Sequence, residues 1–146
     1  MTTLERLEYS LRTNNRHPIC AYKFLHDSLC WASKRIAQKQ GVRVGHITAK
    51  ELSLGFRDLA IREFGCMALT VIESWKIHST RNIGEMVFEL VGKGIMGLSN
   101  SDRESDFIGL YEFSNAFHIR PVVDGYDAEM NKWTIRYVAD NSPKQL

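Results

Sequence analysis

His26 and Cys30 stand four residues apart in a stretch of helical periodicity, a spacing at which two side chains can reach one metal ion. A metal site needs three or four converging ligands. Nothing in the spacing brings Cys20, Cys66 or His46 to join this pair. The expectation is a surface histidine beside a core thiol. Asn100, Asp102, Glu104 and Asp106 alternate like the start of a calcium loop. Ser105 stands where that loop needs glycine, and Tyr111 where it needs a bidentate glutamate. An acidic helix start explains these carboxylates better, because they complement the helix dipole. Neither a metal nor a cofactor is expected.

Nucleophilic chemistry has the residue types but no motif. Cys66 follows Gly65 at a helix start, where a thiolate would be stabilised, yet its neighbours are apolar and a buried inert thiol is expected. No nucleophile elbow occurs, and the Gly92-Lys93-Gly94 run follows a helix where a phosphate loop would precede one. An enzyme with a site invisible in the sequence is the third reading of function.

Lys34, Arg35, Lys39, Arg43 and Lys50 fall, with His46, in an interval from Asp27 to Glu51 that holds no other acidic side chain. Such a stretch can hold the phosphates of RNA or DNA. It can equally satisfy the carbonyls and dipole at the end of a helix. Sequence-specific reading by residues 66–75 is excluded, since they offer only Thr70, Glu73 and Ser74 as polar groups and no cation.

The elements that must position these groups follow from periodicity. Leu4, Leu7 and Leu11 mark a short first helix ended by Asn14 and Asn15. Tyr22, Leu25, Leu29, Ala32 and Ile36 make one stripe of a second helix, from about Pro18 to Lys39, with Gly41 as its stop. Thr48 and Glu51 form a capping box for a third. Its stripe is Leu52, Phe56, Leu59, Ala60 and Phe64, with Arg57, Asp58, Arg62 and Glu63 expected as ion pairs on the opposite face. A fourth helix, Cys66 to Trp75, is apolar on most sides and so expected at the centre. Asn82 opens a fifth over Ile83, Met86, Val87, Leu90 and Val91, which the glycines at 92, 94 and 97 end. Ser101 and Glu104 form another capping box before an aromatic segment from Phe107 to Phe117, interrupted by Gly109. Beyond Ile119 the period becomes two: Trp133, Ile135 and Tyr137 alternate with Thr134, Arg136 and Val138. Arg120 to Asp124 can pair with that strand across a loop from Gly125 to Asn131.

The 146 residues suit one domain, and 44% hydrophobic with 25% charged residues is the balance of a globular chain. No apolar run reaches the roughly 20 residues of a membrane helix. Charges from Glu5 onward leave no apolar region for a signal peptide, so the cytoplasm is the expected address. Three cysteines without a CxxC pair are expected as reduced, buried or half-buried thiols. Net charge is +5 over residues 1–98, −5 over 99–131 and +2 beyond, a separation that can steer partners or match faces within the fold.

His46, Glu51-Leu52, Arg57-Asp58-Leu59-Ala60, Phe64-Gly65, Trp75, Gly84-Glu85, Val87-Phe88 and Asp106-Phe107 occur in order with short spacings. In this the chain resembles an uncharacterised bacterial family, known mainly from planctomycetes and verrucomicrobia, over about residues 20–118. Members of that family tend to carry glycine after the tryptophan and an acidic residue where this chain has Asn82; Lys76 follows Trp75 here. The resemblance implies no activity and carries over no functional residue.

The resulting expectation is a mainly α protein. A compact bundle of five or six helices fills residues 1–118, a β-hairpin over 119–140 is appended to the same domain, and 141–146 form a flexible tail. Its function is expected to be that of a non-catalytic macromolecular interaction module, using Phe113, Phe117, Trp133 and Tyr137 to contact another protein or a second copy. The alternative is a nucleic-acid-associated protein, bound to RNA or the ribosome through Lys34, Arg35, Lys39, Arg43 and Lys50.

Overall fold

The computed structural model describes residues 2, 5–6, 8–9, 16–41, 46–97 and 102–139. The Leu4, Leu7 and Leu11 stripe, Asn14, Asn15, Arg43, Ser101 and the tail from 141 lie outside them. Packed helices are followed by an antiparallel two-stranded hairpin. The helices are α1 (Ile19–Gln40), α2 (Ala49–Phe64), α3 (Ala68–Ser74), α4 (Thr80–Gly92) and α5 (Phe113–Ala116). Short 3-10 turns cover Gly65–Met67 and Glu104–Phe107, and the strands are β1 (Ile119–Asp127) and β2 (Lys132–Ala139). No helix among the described residues is long and apolar enough to cross a membrane.

Helix α1 forms as its stripe predicts. Tyr22, Leu25, Ala32 and Ile36 are buried, and Gly41 closes it in the left-handed conformation with φ 68°. The capping box of α2 is present: Glu51 N–H donates to Thr48 Oγ1, and Thr48 N–H donates to the Glu51 carboxylate, both at 3.1 Å.

The centre of the bundle is α2 and not the segment after it. Every residue from Leu52 to Ala60 is buried, so the face expected in solvent is covered too. Arg57 is 1% exposed and Asp58 8% exposed. Their pair is therefore a core contact, with Arg57 Nε donating to Asp58 Oδ1 at 2.8 Å, while only Arg62 and Glu63 stay in water. Residues 66–75 split into a 3-10 turn and the short α3, and only Ala68, Ile72 and Trp75 among them are buried. Met67 is 57% exposed. Its uniform apolarity marks a half-covered lid over the core and not its axis.

Helix α4 starts two residues before Asn82, with Ser79 at the cap position. Asn82 acts from inside the helix, its Oδ1 accepting from His78 N–H at 2.8 Å. Ile83, Met86, Val87 and Leu90 are buried as expected. Gly84 lies so close to Phe107 that an added Cβ would sit 2.6 Å from the Phe107 Cβ. Gly109, at φ 68°, breaks the aromatic segment into the second 3-10 turn and α5. Phe107, Phe113 and Phe117 all enter the core from there.

Candidate interaction surface

β1 and β2 pair from Ile119↔Ala139 to Asp127↔Lys132, with a bulge between Val123 and Gly125. The loop is tighter than the spacing suggests, because the ladder runs on past Asp124. Asp127 Oδ1 accepts from the amides of Glu129 and Met130, which fixes the turn. Opposed residues share a face. Pro121 and Tyr137, Val123 and Ile135, and Tyr126 and Trp133 are opposed, so all six lie on one side. That side is apolar and open: Trp133 is 62% exposed, and Val123, Tyr126, Ile135 and Tyr137 are exposed beside it, with Met130 in the turn. Tyr126 and Trp133 pack with ring centroids 5.0 Å apart and planes tilted by 59°. The other side carries the Arg136–Asp124 ion pair at 2.8 Å.

The hairpin is held to the body at one end only. Ile119 packs against the core, and the Tyr137 ring lies over Gly65 at the end of α2. The rows from Val123 to Trp133 extend beyond that contact. Soluble chains rarely leave large apolar side chains contiguous on one face without a partner.

Of the four residues expected to make protein contacts, Trp133 and Tyr137 are on this face. Phe113 and Phe117 are core residues, buried with their rings 5.3 Å apart, and are not surface anchors. An aromatic-rich segment near a chain's acidic stretch looks like a docking surface, but burial of aromatic area in the core gains more. Val123, Tyr126 and Ile135 were the unnamed members of the face. A register pairing Pro121 with Tyr137, readable as the one that keeps both apolar rows together, identifies them.

The basic stretch is not a uniform surface. Lys34, Lys39 and Lys50 are exposed, Arg35 lies 4.6 Å above the Trp31 ring, and Arg43 is outside the described residues. Lys34 shares a groove of about 530 Å³ between α1 and α2 with Asp27 and Glu63. Acidic side chains therefore flank Lys34, one of the cations that the nucleic-acid reading requires.

A second cavity, of about 230 Å³, is floored by Leu29, Leu52, Val87 and Phe107. His46 Nε2 lies 3.2 Å from Asp102 Oδ1 at its lining. A histidine oriented by a carboxylate is half of a nucleophilic site. The cavity's Thr48 hydroxyl is already the cap of α2. Among the described residues no three His, Cys, Asp or Glu side chains converge as a metal site requires. All three cysteines are exposed, so the expected buried or half-buried thiols at Cys20, Cys30 and Cys66 are corrected: each falls on the outward side of its helix or turn.

Two phenols, the buried Tyr22 and the half-buried Tyr111, make polar contacts that periodicity did not mark. The Tyr22 hydroxyl donates to Glu89 at 2.6 Å, and the Tyr111 hydroxyl donates to the Ser53 carbonyl at 2.5 Å. Burial, above all, raises both phenol pKa values, and the Glu89 carboxylate adds to the rise at Tyr22. His17, also buried, places Nδ1 2.8 Å from the Trp75 carbonyl. These are joints of the scaffold, locking α1 to α4, the aromatic segment to α2, and the residues before α1 to the end of α3. Compared with protein-family models, curated proteins and solved structures, the chain matches none of them.

Proposed function

We propose that this chain, a bundle of five or six helices carrying a hairpin, is a non-catalytic macromolecular interaction module of the bacterial cytoplasm. The observation that carries the reading is the exposed apolar face of Val123, Tyr126, Trp133, Ile135 and Tyr137. Aromatic anchors on an open sheet bind protein surfaces well, because they bring large contact area at little cost in side-chain entropy. The likeness to an uncharacterised bacterial family belongs to the same proposal and adds no activity to it.

A nuclease-treated pull-down from native lysate tests the reading. The chain is expected to retain a bound macromolecule, and Trp133→Ser with Tyr126→Ser is expected to lose it while keeping the helical circular dichroism. Loss of every partner on nuclease treatment would instead support the RNA reading. In that case replacing Lys34, Arg35, Lys39 and Arg43 with glutamine abolishes salt-sensitive RNA co-purification.

A further inference from the structure

We infer that the hairpin's partner is a second copy of this chain, joined antiparallel along the free edge of β2 into one four-stranded sheet. The inference rests on the hairpin being the contact surface.

Pro121 determines which backbone groups are free. Proline has no N–H, so its pair with Tyr137 is a non-hydrogen-bonded one, and the ladder alternates from there. β2 carries no bulge, so the alternation holds along it. The amides and carbonyls of Trp133, Ile135 and Tyr137 therefore point away from β1. Among the described residues they make no backbone hydrogen bond to any other element. The outer edge of β1 is not equivalent. Pro121 removes a donor from its row and the bulge at Asp124 breaks its spacing, two devices that blunt a strand edge. β2 contains neither proline nor glycine over Lys132–Ala139.

Strand overlap and charge together select the register, since centring on Trp133 or on Tyr137 pairs fewer residues of Lys132–Ala139 than centring on Ile135. Outward groups must face outward groups, so Trp133, Ile135 and Tyr137 of one copy oppose that same set in the other. Centred on Ile135, the pairing sets Trp133 against the second copy's Tyr137 twice, and Thr134 against Arg136. Centred on Thr134, Lys132 would oppose Arg136; centred on Arg136, two guanidiniums would meet. Like charges directly opposite are destabilising. The hairpin as a whole carries no net charge that would oppose self-association: Arg120, Lys132 and Arg136 balance Asp124, Asp127 and Glu129. Four strands with one apolar face also reach the size at which a sheet is independently stable, which a lone hairpin does not.

Sedimentation velocity of the full chain at micromolar concentration is expected to give a dimer. Ile135→Pro keeps the β1–β2 hydrogen bonds, because that amide points outward, yet removes an edge donor from each copy. It should weaken the dimer by about tenfold or more. The register is tested by Ile135→Cys in a chain with Cys20→Ser, Cys30→Ser and Cys66→Ser, all exposed positions. A hydrogen-bonded antiparallel pair holds Cα atoms about 5.5 Å apart, within disulfide reach, so mild oxidation should link residue 135 to itself. Val123→Cys on β1 should not cross-link. A dimer that ignores Ile135→Pro and yields no 135–135 bond overturns the inference, as does a monomer at every concentration. A monomer that still captures a macromolecule through Trp133 leaves the interaction reading standing; a monomer that captures nothing ends both.

Discussion

The ring of Tyr137 lies directly over Gly65, so that a Cβ on the glycine would stand 2.8 Å from the Tyr137 Cζ. Gly65 also has φ 53° and ψ −129°, a conformation that side-chain-bearing residues avoid. One position thus ends α2, turns the chain and seats the hairpin. Gly65→Ala should cost about 1–3 kcal/mol through backbone strain, and the contact with Tyr137 adds to it. Urea denaturation measures the loss. Adding Tyr137→Ala should recover only the steric part, since the strain remains. Equal stability of Gly65→Ala and the parent would contradict this account.

Gly84→Ala sets a Cβ 2.6 Å from the Phe107 Cβ, on the turn that packs against α4. The opposed atom is next to the backbone, so the whole turn must move. A loss of about 1–3 kcal/mol is expected, as for other overpacked sites. Phe107→Ala should give only partial relief, because alanine removes the ring contacts at 2.7 and 2.9 Å but keeps the nearest carbon. Thermal unfolding of the single and double variants decides it.

Asp58 is the carboxylate against a guanidinium that is 1% exposed. Removing one partner of a buried pair costs about 3–5 kcal/mol, far more than the pair itself stabilises. Asp58→Ala should lower the denaturation midpoint accordingly. Ser53→Ala, a neighbour on the same helix, should do the opposite: its buried Oγ has no hydrogen-bond partner among the described residues, and its removal should be neutral or stabilising. A loss above about 1 kcal/mol at Ser53 would show that its hydroxyl is satisfied.

An unfolded tyrosine ionises near about pH 10. Tyr22 and Tyr111 have raised pKa values in the folded chain, so the unfolded chain gives up those protons first. Their contribution is fully present below about pH 10 and is lost as the pH climbs from there toward the folded pKa values. Tyr111→Phe should be less stable at neutral pH, having lost its bond to Ser53, yet should show a shallower alkaline decline. Denaturant midpoints across the alkaline range test the slope; an unchanged slope refutes the assignment.

Much of the scaffold was legible because its signals are local. The Thr48–Glu51 box depends on residues three apart, the α1 stripe on a single helical period, and the strand pattern at Trp133 on alternation. Each is encoded within a few residues and survives in the folded chain. The site was legible only in part. Trp133 and Tyr137 are on the open face, whereas Phe113 and Phe117 belong to the core.

What periodicity could not decide is which element is covered on all sides. Arg57 and Asp58 look like solvent residues by type and position on α2, and residues 66–75 look central by composition. Burial depends on how many neighbours surround a helix, a property of the assembled bundle. The tertiary structure surrounds α2 from Leu52 to Ala60, so Arg57 and Asp58 must pair inside, and leaves residues 66–74 half in water. The same holds for the hairpin. Its alternation is written in the chain, but only packing at Gly65 decided that one end is anchored while the rest of the apolar face stays open.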